Sequence, residues 1–146
     1  PAKEIAEQIA LLREKVHTTF ILNTLDYLSR GGRCSAVTAF GANLLSIKPS
    51  IEMVDGALEV GKKYRGKIET VYGQYIRDQL SDPDKLDLSR AFLSHSGGGI
   101  SEETLQAMKK EILRCAPFQE VQIIRAGCTI SAHCGPKTAT VMFMEK

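Results

Sequence analysis

The sequence lacks three features that would each suggest a particular class of protein. It has no run of about twenty apolar residues, which a membrane-spanning helix needs, and its amphipathic start, residues 1–7, is not typical of a signal sequence. It has no strong excess of charge, because 19 Lys and Arg against 17 Asp and Glu leave a formal net charge of +2. Without a concentrated basic stripe, that charge does not predict a nucleic-acid partner. Neither export nor a membrane span is indicated.

The third missing feature is a motif for a metal or a nucleotide. The four cysteines, Cys34, Cys115, Cys128 and Cys134, form no CxxC pair and have no paired CxxC and HxxxH spacing. No metal site is therefore expected, and reduced thiols in a cytoplasmic protein are the simplest account. No Walker or dinucleotide-binding spacing is present, so no nucleotide cofactor is expected either.

The remaining composition is that of one globular domain spanning residues 1–146. Of these residues 43% are hydrophobic and 25% are charged, which is enough apolar material for one core. Segments with helical spacing alternate with short apolar, β-branched segments. Asp55-Gly56 lies between two apolar segments and predicts a tight hairpin, because both turn positions accept positive φ. The sequence thus predicts an α/β fold with a mixed sheet and flanking helices.

Periodicity and capping signals place the elements along the chain. Neither a helix nor a strand is predicted for residues 127–136. Residues 96–99 are expected to form a flexible loop rather than an anion site. The first helix is expected to lie on the core. Helices are predicted over residues 5–16, 25–30, 35–45, 68–80 and 101–115, and strands over residues 18–22, 47–53, 57–60, 88–95, 120–124 and 138–144.

Two kinds of side chain suggest chemistry or binding. His133 lies between glycines in a stretch where its imidazole could contact a carboxylate or accept a proton, with a structural role as the alternative. Ser94-His95-Ser96 invites a hydrolase interpretation, but adjacent residues on a strand point to opposite faces and cannot form a nucleophile–base pair. The residues alone therefore predict a binding domain, with no catalytic residue.

Arginines and lysines form the second candidate group. Arg33 and Arg65 each lie beside a glycine, which places a planar guanidinium on a constrained backbone suited to bidentate contact with a carboxylate or phosphate. Arg65 also belongs to a basic cluster with Lys62, Lys63 and Lys67. We interpret this cluster as a solvated helix start, with a surface for an anionic partner as the alternative.

The order of the motifs resembles the carboxy-terminal half of the DegV family over nearly the whole chain. The resemblance implies the carboxy-terminal lobe of a two-lobed DegV-type fold, with the amino-terminal lobe absent from this chain. The chain also lacks an initiating methionine and opens on a helical pattern, so we expect a processed or truncated product. The motifs that carry the resemblance are Thr24 to Leu28, Gly31-Gly32-Arg33, Asn43 to Pro49, Asp55-Gly56, Tyr64-Arg65-Gly66 and Ala132 to Pro136.

The resemblance implies a bacterial lipid carrier and not an enzyme. Members of the family enclose a long-chain fatty acid between their two lobes and present its carboxylate to a separate fatty acid kinase, whose product enters phospholipid synthesis. The expected partners are the fatty acid, the kinase and the amino-terminal lobe, with peripheral membrane contact allowed and no nucleic acid.

The resemblance also implies roles for particular residues. His133 resembles the histidine that binds the ligand carboxylate, and Arg33 and Arg65 resemble arginines of the head-group region that engage the kinase. The candidate residues lining an apolar cleft are Phe40, Leu44, Leu45, Ile47 and Met53.

Two other functions stay open from the sequence. The family's fold is related to the lobe of dihydroxyacetone kinases in which a histidine attaches covalently to a small ketone. The alternative function is therefore a lobe that binds a small ketone through His133. The other remaining possibility is a fragment with a purely structural role and no ligand.

Overall fold

The computed structural model describes residues 1–32, 47–54 and 56–146. A short 3-10 turn, Pro83–Lys85, precedes the fourth strand. The helices are α1 (Ala2–Arg13), α2 (Asp26–Arg30), α3 (Ile68–Gln79), α4 (Glu102–Cys115) and α5 (Cys128–Cys134). The strands are β1 (Val16–Ile21), β2 (Ile47–Val54), β3 (Ala57–Arg65), β4 (Leu86–His95), β5 (Glu120–Arg125) and β6 (Ala139–Glu145).

The strands form one six-stranded mixed sheet in the order β3-β2-β1-β6-β4-β5. Only the pairing of β4 with β5 is parallel among the described strands, and the other neighbours are antiparallel. Parallel neighbours need a crossover connection, which α4 supplies between β4 and β5. The predicted α/β fold with a mixed sheet is confirmed.

The predicted hairpin is confirmed by the register of β2 and β3. The two strands pair antiparallel with Val54 opposite Ala57, and Gly56 has a φ of 79°. Positive φ at this position is what a two-residue hairpin turn needs, and glycine adopts it without steric cost. Asp55, the other turn residue, lies outside the described residues.

The larger core lies between one face of the sheet and helices α3 and α4. Apolar residues at helical spacing on both helices meet alternate residues of the strands, as amphipathic helices and half-buried strands require. Burying each large apolar side chain contributes roughly 1.5–3 kcal/mol. The buried helix residues include Val71, Tyr75, Ile76, Leu105 and Ile112, and the strand residues include Ala91, Leu93, Val121, Val141 and Phe143.

A second, smaller cluster covers part of the opposite face of the sheet. It joins Leu28 of α2 and Cys134 of α5 to Ile51 of β2, together with Leu22 and Leu25. Phe20 of β1 packs against this cluster, whereas the next residue, Ile21, lies in the larger core. Helices α2 and α5 therefore lie on the face opposite α3 and α4.

Two predictions about helices are wrong. The apolar stripe of α1 does not lie on the core, because Ile5, Ile9 and Leu12 are 58%, 59% and 45% exposed and no residue of α1 is buried in the described part of the chain. Helical spacing shows which side of a helix is apolar, but not what covers it. The segment 127–136 contains α5, which its poor helix formers Thr129 and Ile130 do not predict.

The basic cluster was also assigned to the wrong element. Lys62, Lys63 and Arg65 lie on β3 rather than at a helix start, and only Lys67 caps α3. The reason is the length of the partner strand, since β2 pairs with β3 from Val54 opposite Ala57 to Ile47 opposite Arg65. β3 is an edge strand, and lysines on an edge discourage pairing with another chain. The predicted helix over residues 35–45 lies outside the described residues.

Tyr75 provides a test of the larger core. Its fully buried hydroxyl donates to the Thr19 carbonyl at 2.8 Å and lies 2.7 Å from Oγ1 of Thr19. Burial raises the pKa of Tyr75 to about 12, so the phenol is a neutral donor at pH 7. We expect Tyr75→Phe to lower the free energy of unfolding by about 1–3 kcal/mol, because it leaves buried groups without a partner.

Urea denaturation measures this loss. Tyr27→Phe is the matched control, because Tyr27 is 40% exposed and its hydroxyl has no hydrogen bond within the described residues. Equal midpoints for the two variants would contradict the role given to the Tyr75 hydroxyl.

Candidate functional site

His133 lies in the last turn of α5, where it is half-buried against the end of α2. A Cβ atom placed on Gly31 would lie 2.3 Å from Nδ1 of His133. Gly31 has a helical φ of −75°, so the glycine is needed for space and not for its backbone conformation. The missing side chain at Gly31 allows the His133 ring to pack against the backbone of α2.

A second close approach joins the same two helices. Gly135 follows α5 with φ 78° and ψ 177°, a combination that residues other than glycine rarely adopt. A Cβ atom there would lie 2.4 Å from Cδ2 of Tyr27 on α2. The ring of Tyr27 and the backbone of Gly135 therefore fix the position of α5 relative to α2.

Hydrogen bonds from two hydroxyl groups satisfy the last carbonyls of α5. Thr138 Oγ1 donates to the Cys134 carbonyl at 2.9 Å, and Ser96 Oγ donates to the Gly135 carbonyl at 2.7 Å. The Ser96 N–H also donates to the Thr138 carbonyl at 3.1 Å. Both hydroxyl residues are buried. They supply the hydrogen-bond donors that the last carbonyls of a helix otherwise lack, and so they anchor the turn that carries His133.

The loop after β4 is tied to this turn. Lys137 N–H donates to the Gly98 carbonyl at 3.1 Å, and a Cβ on Gly98 would lie 3.4 Å from Cβ of Pro136. The expectation of a loose loop at residues 96–99 overlooked these contacts, because they join residues about forty positions apart in the chain.

The same contacts exclude a Ser-His pair at Ser94-His95-Ser96. The Ser96 hydroxyl donates to Gly135, and Nδ1 of His95 accepts from Gly97 N–H at 3.1 Å. Burial, together with the nearby Arg125 guanidinium, lowers the pKa of His95. The imidazole of His95 therefore bonds its own loop, and its contacts do not include Ser94 or Ser96 in the part of the chain that the structure describes.

An apolar surface lies on the same face of the sheet as α2 and α5. Cross-strand partners share a face, and Met142 of β6 lies opposite both Thr18 of β1 and Phe92 of β4. Val16 lies opposite Met144 in the next pair along. This surface lines a groove of about 710 Å³, which is also lined by the polar residues Ser89, Arg90, Gln119 and Glu120. We call it the apolar sheet face and define it by Val16, Phe92, Ile124, Met142 and Met144.

The exposure of these residues distinguishes this surface from a core. Val16 and Ile124 are 49% and 36% exposed, and Phe92, Met142 and Met144 are half-buried. Monomeric proteins rarely leave contiguous apolar surface open, and such a patch marks a binding site. The periodicity of β4 and β6 predicts strands, but it cannot show that one face of the sheet stays uncovered.

Of the two arginines predicted to engage the kinase, one lies in the part of the chain that the structure describes, and the structure does not join it to His133. Arg33 lies outside the described residues. Arg65 ends β3 and is exposed, and Gly66 follows it with a φ of 128°. Within residues 1–32, 47–54 and 56–146, no hydrogen bond or ion pair links Arg65 to His133. Arg65 instead lies on the edge strand with Lys62 and Lys63.

The predicted cleft residues are only partly described. Ile47 and Met53 lie on β2, half-buried and 55% exposed respectively, while Phe40, Leu44 and Leu45 lie outside the described residues. The residues of the apolar sheet face were missing from that prediction, as were Gly31, Tyr27 and Ser96 around His133. No sequence signal identifies these residues, because each contact depends on the packing of distant segments.

Two features are absent from the described residues. These residues contain no group of three or more His, Cys, Asp or Glu side chains that could hold a metal ion. No helix among them is both long enough and apolar enough to cross a lipid bilayer.

Comparison with known proteins identifies the family. A family model described as "Uncharacterised protein, DegV family" matches residues 1–146. The chain belongs to the DegV family. A DegV domain-containing protein of Caldanaerobacter subterraneus subsp. tengcongensis is 29% identical over 146 residues, which cover 99% of this chain and 50% of the relative. Another DegV relative, from Clostridium perfringens, is 30% identical over 144 residues, which cover 97% of this chain and 47% of the relative. The chain spans about half the length of these DegV relatives.

Solved DegV structures share the fold. The Streptococcus pneumoniae fatty acid kinase B3 protein, loaded with linoleic acid, matches with a TM-score of 0.80 at 21% identity, over 99% of this chain and 50% of that one. A DegV family protein from Eubacterium eligens, loaded with heptadecanoic acid, matches equally well, with a TM-score of 0.80 at 21% identity, over 99% and 50% of the two chains. A Thermus thermophilus DegV family protein, described for its fatty acid binding, has a TM-score of 0.76 at 25% identity, over 99% and 51%.

Proposed function

We propose that this chain is the carboxy-terminal lobe of a two-lobed bacterial DegV protein that binds one long-chain fatty acid. In this proposal the protein works in the cytoplasm and presents the fatty acid carboxylate to a separate kinase, so it is a carrier and not an enzyme. The observation that carries the proposal is the apolar sheet face, which lies open on the same side of the sheet as the helix that holds His133.

The apolar sheet face suits an extended acyl chain. Thr140, Met142 and Met144 alternate along β6 on this face, while Val141 and Phe143 point into the larger core. At about 3.3 Å per residue the row from Thr140 to Met144 is about 13 Å long. Side chains of β1, β4 and β5 widen this row into the groove. A flexible hydrocarbon needs such contiguous apolar contact and few polar groups.

His133 is the proposed partner of the carboxylate. The segment 135–138 connects α5 directly to the start of β6, so His133 lies close in the chain to one end of the row on β6. No hydrogen bond joins its ring to another side chain within the described residues, which leaves the imidazole available to a ligand. A hydrogen bond from an imidazole to a carboxylate is charge-assisted and stronger than a neutral one.

The DegV relatives support this choice of ligand. Two of the matched structures, from Streptococcus pneumoniae and Eubacterium eligens, hold linoleic and heptadecanoic acid. The first of these proteins is also named after a fatty acid kinase, which supports a kinase as the partner of the present chain. The lobe that completes the cleft is proposed to come from the half of the relatives' length that this chain does not span.

The basic edge strand is the proposed surface for the kinase. Lys63 and Arg65 lie on the same face of β3, at the opposite edge of the sheet from β5. Lys62 points to the other face and forms an ion pair with Asp78 of α3 at 2.8 Å. Exposed charges of one sign attract a partner of opposite charge and increase its rate of association. In this proposal Arg65, with Arg33, contacts acidic groups of the kinase.

The size of the apolar sheet face favours a lipid over the alternative ligand, a small ketone bound covalently to His133. A three-carbon ketone would not use a groove of about 710 Å³ lined by phenylalanine, methionine and isoleucine. The two ligands differ in mass, polarity and mode of attachment, so one measurement separates them.

That measurement is native mass spectrometry of the longest natural form of the protein from a bacterial host, followed by organic extraction. We expect a stoichiometric fatty acid to be released from the parent protein. His133→Leu should retain the fold but bind the fatty acid about tenfold more weakly, because it loses a hydrogen bond to a charged group, and phosphorylation by the kinase should fall with it.

His17→Leu is the matched control. His17 stacks on Phe143, with ring centroids 4.7 Å apart, and hydrogen-bonds Gln79 of α3, so its ring lies on the face opposite the apolar sheet face. This His17 variant should release as much fatty acid as the parent protein. An empty parent protein would contradict the carrier function, and a covalent adduct on His133 would favour the small ketone.

A further inference from the structure

Lys137 has an unusual backbone conformation in the segment that connects α5 to β6. With a φ of 62° it is the only residue other than glycine with a positive φ in the described part of the chain. The left-handed conformation costs about 1–2 kcal/mol for a residue that has a Cβ atom. Such a conformation persists only where the surrounding contacts determine it. The contacts that hold Lys137 are therefore informative.

Three contacts from two elements hold Lys137. The Tyr72 hydroxyl of α3 donates to the Lys137 carbonyl at 2.7 Å, and the Lys137 N–H donates to Gly98 of the loop after β4 at 3.1 Å. The Lys137 ammonium lies 2.8 Å from Glu69 Oε1, also on α3. The ion pair is partly exposed and contributes little. The Tyr72 hydroxyl lies on a side chain that is 2% exposed, so its hydrogen bond is the strongest constraint on the segment.

The conformation of Lys137 is coupled to the end of α5. The next residue, Thr138, donates from Oγ1 back to the Cys134 carbonyl and from its N–H to Ser96 Oγ. These are the bonds that anchor the last turn of α5, in which His133 lies. A change in the Lys137 carbonyl would therefore move the anchor of the turn that carries His133.

We infer that Tyr72 is a positioning residue for the head-group site, which acts through the Lys137 carbonyl and the anchored end of α5 to set the place of the His133 imidazole. The inference rests on the proposed function. Tyr72 belongs to the larger core, on the opposite side of the sheet from the apolar sheet face, and it does not touch the ligand. It determines how well the protein distinguishes a carboxylate from an uncharged head group.

The test compares the binding of palmitate with that of methyl palmitate, which has the same acyl chain but no carboxylate. The longest natural form of the protein is stripped of lipid and titrated with each. The parent should prefer the acid. Tyr72→Phe should reduce this preference about fivefold, corresponding to the loss of one hydrogen bond, mainly through weaker binding of the acid, and the affinity for the ester should stay the same.

Tyr75→Phe is the matched control, because it removes a hydroxyl from the same helix and the same core. The Tyr75 hydroxyl donates to Thr19 and not to residues 135–138, so this variant should lose stability but keep the parent's preference.

The outcomes separate the inference from the proposed function. If the parent prefers palmitate and Tyr72→Phe weakens the binding of acid and ester equally, the role of Tyr72 is structural and the inference is overturned. If the parent binds neither compound, the proposed function fails and the inference fails with it.

Discussion

A Gly135→Ala variant should lose about 3 kcal/mol or more of its free energy of unfolding. Gly135 has φ 78° and ψ 177°, a region in which a side chain costs about 1–3 kcal/mol. The added Cβ would also lie 2.4 Å, 2.7 Å and 2.9 Å from three atoms of the Tyr27 ring, so the ring has to move away from α5. Overpacking of this kind typically costs a further ~1–3 kcal/mol.

Urea denaturation of the parent and the variant measures this loss. Gly127→Ala is the control at the other end of α5, where φ is −64° and no atom lies within 4 Å of the added Cβ. It should change the stability by less than about 0.5 kcal/mol. Similar losses for the two variants would mean that the contact between Gly135 and Tyr27 does not hold α5 in place.

A Met142→Glu variant should lose most of its bound fatty acid. Met142 lies between Thr18 and Phe92 at the centre of the apolar sheet face, where an acyl chain would cover it. A carboxylate at this position would be buried without a partner when lipid binds, at a cost of several kcal/mol. The amount of fatty acid extracted from the longest natural form should fall at least about tenfold, since 1.4 kcal/mol is a factor of ten.

Leu113→Glu is the matched control for this charge. Leu113 lies on α4 and is 42% exposed, on the side of the molecule opposite the apolar sheet face. The Leu113→Glu variant should keep the fatty acid content of the parent protein. Circular dichroism should show the same fold in both variants. Retention of lipid by Met142→Glu would place the acyl chain somewhere other than the apolar sheet face.

The exposed α1 stripe and the apolar sheet face are both surfaces that the proposed amino-terminal lobe could cover. Ile5, Ile9 and Leu12 leave apolar surface open on α1, and the sheet leaves a second surface open. In the proposed two-lobed protein, the other lobe would cover both surfaces. The proposed amino-terminal lobe would therefore contact lipid and protein together.

The predictions that succeeded depend on short stretches of sequence. The hairpin follows from Asp55-Gly56 between two apolar segments, and the start of α4 follows from Ser101, whose side chain accepts the Thr104 N–H at 3.2 Å. The stripe of α3 follows from its apolar spacing. In each case the interacting residues lie within a few positions of one another, so the sequence contains the whole signal.

The candidate site was predicted less completely. A resemblance of motifs identified His133, but the residues that shape its surroundings are far away in the chain. Gly31, which makes room for the His133 ring, lies about a hundred positions away in the chain. Ser96, which anchors the end of α5, lies about forty positions away. The length of β3 could not be read from its own sequence either, because β2 sets it through pairing.

The sequence by itself determined the α/β class, the mixed sheet and the hairpin. Local spacing, turn chemistry and capping produce these features, and each acts over a few residues. Only the tertiary structure decided which face of the sheet stays uncovered, that α5 is a helix, and that Tyr72 reaches the Lys137 carbonyl. Those features depend on contacts between distant segments. Such contacts stabilise the protein only once the sheet has formed.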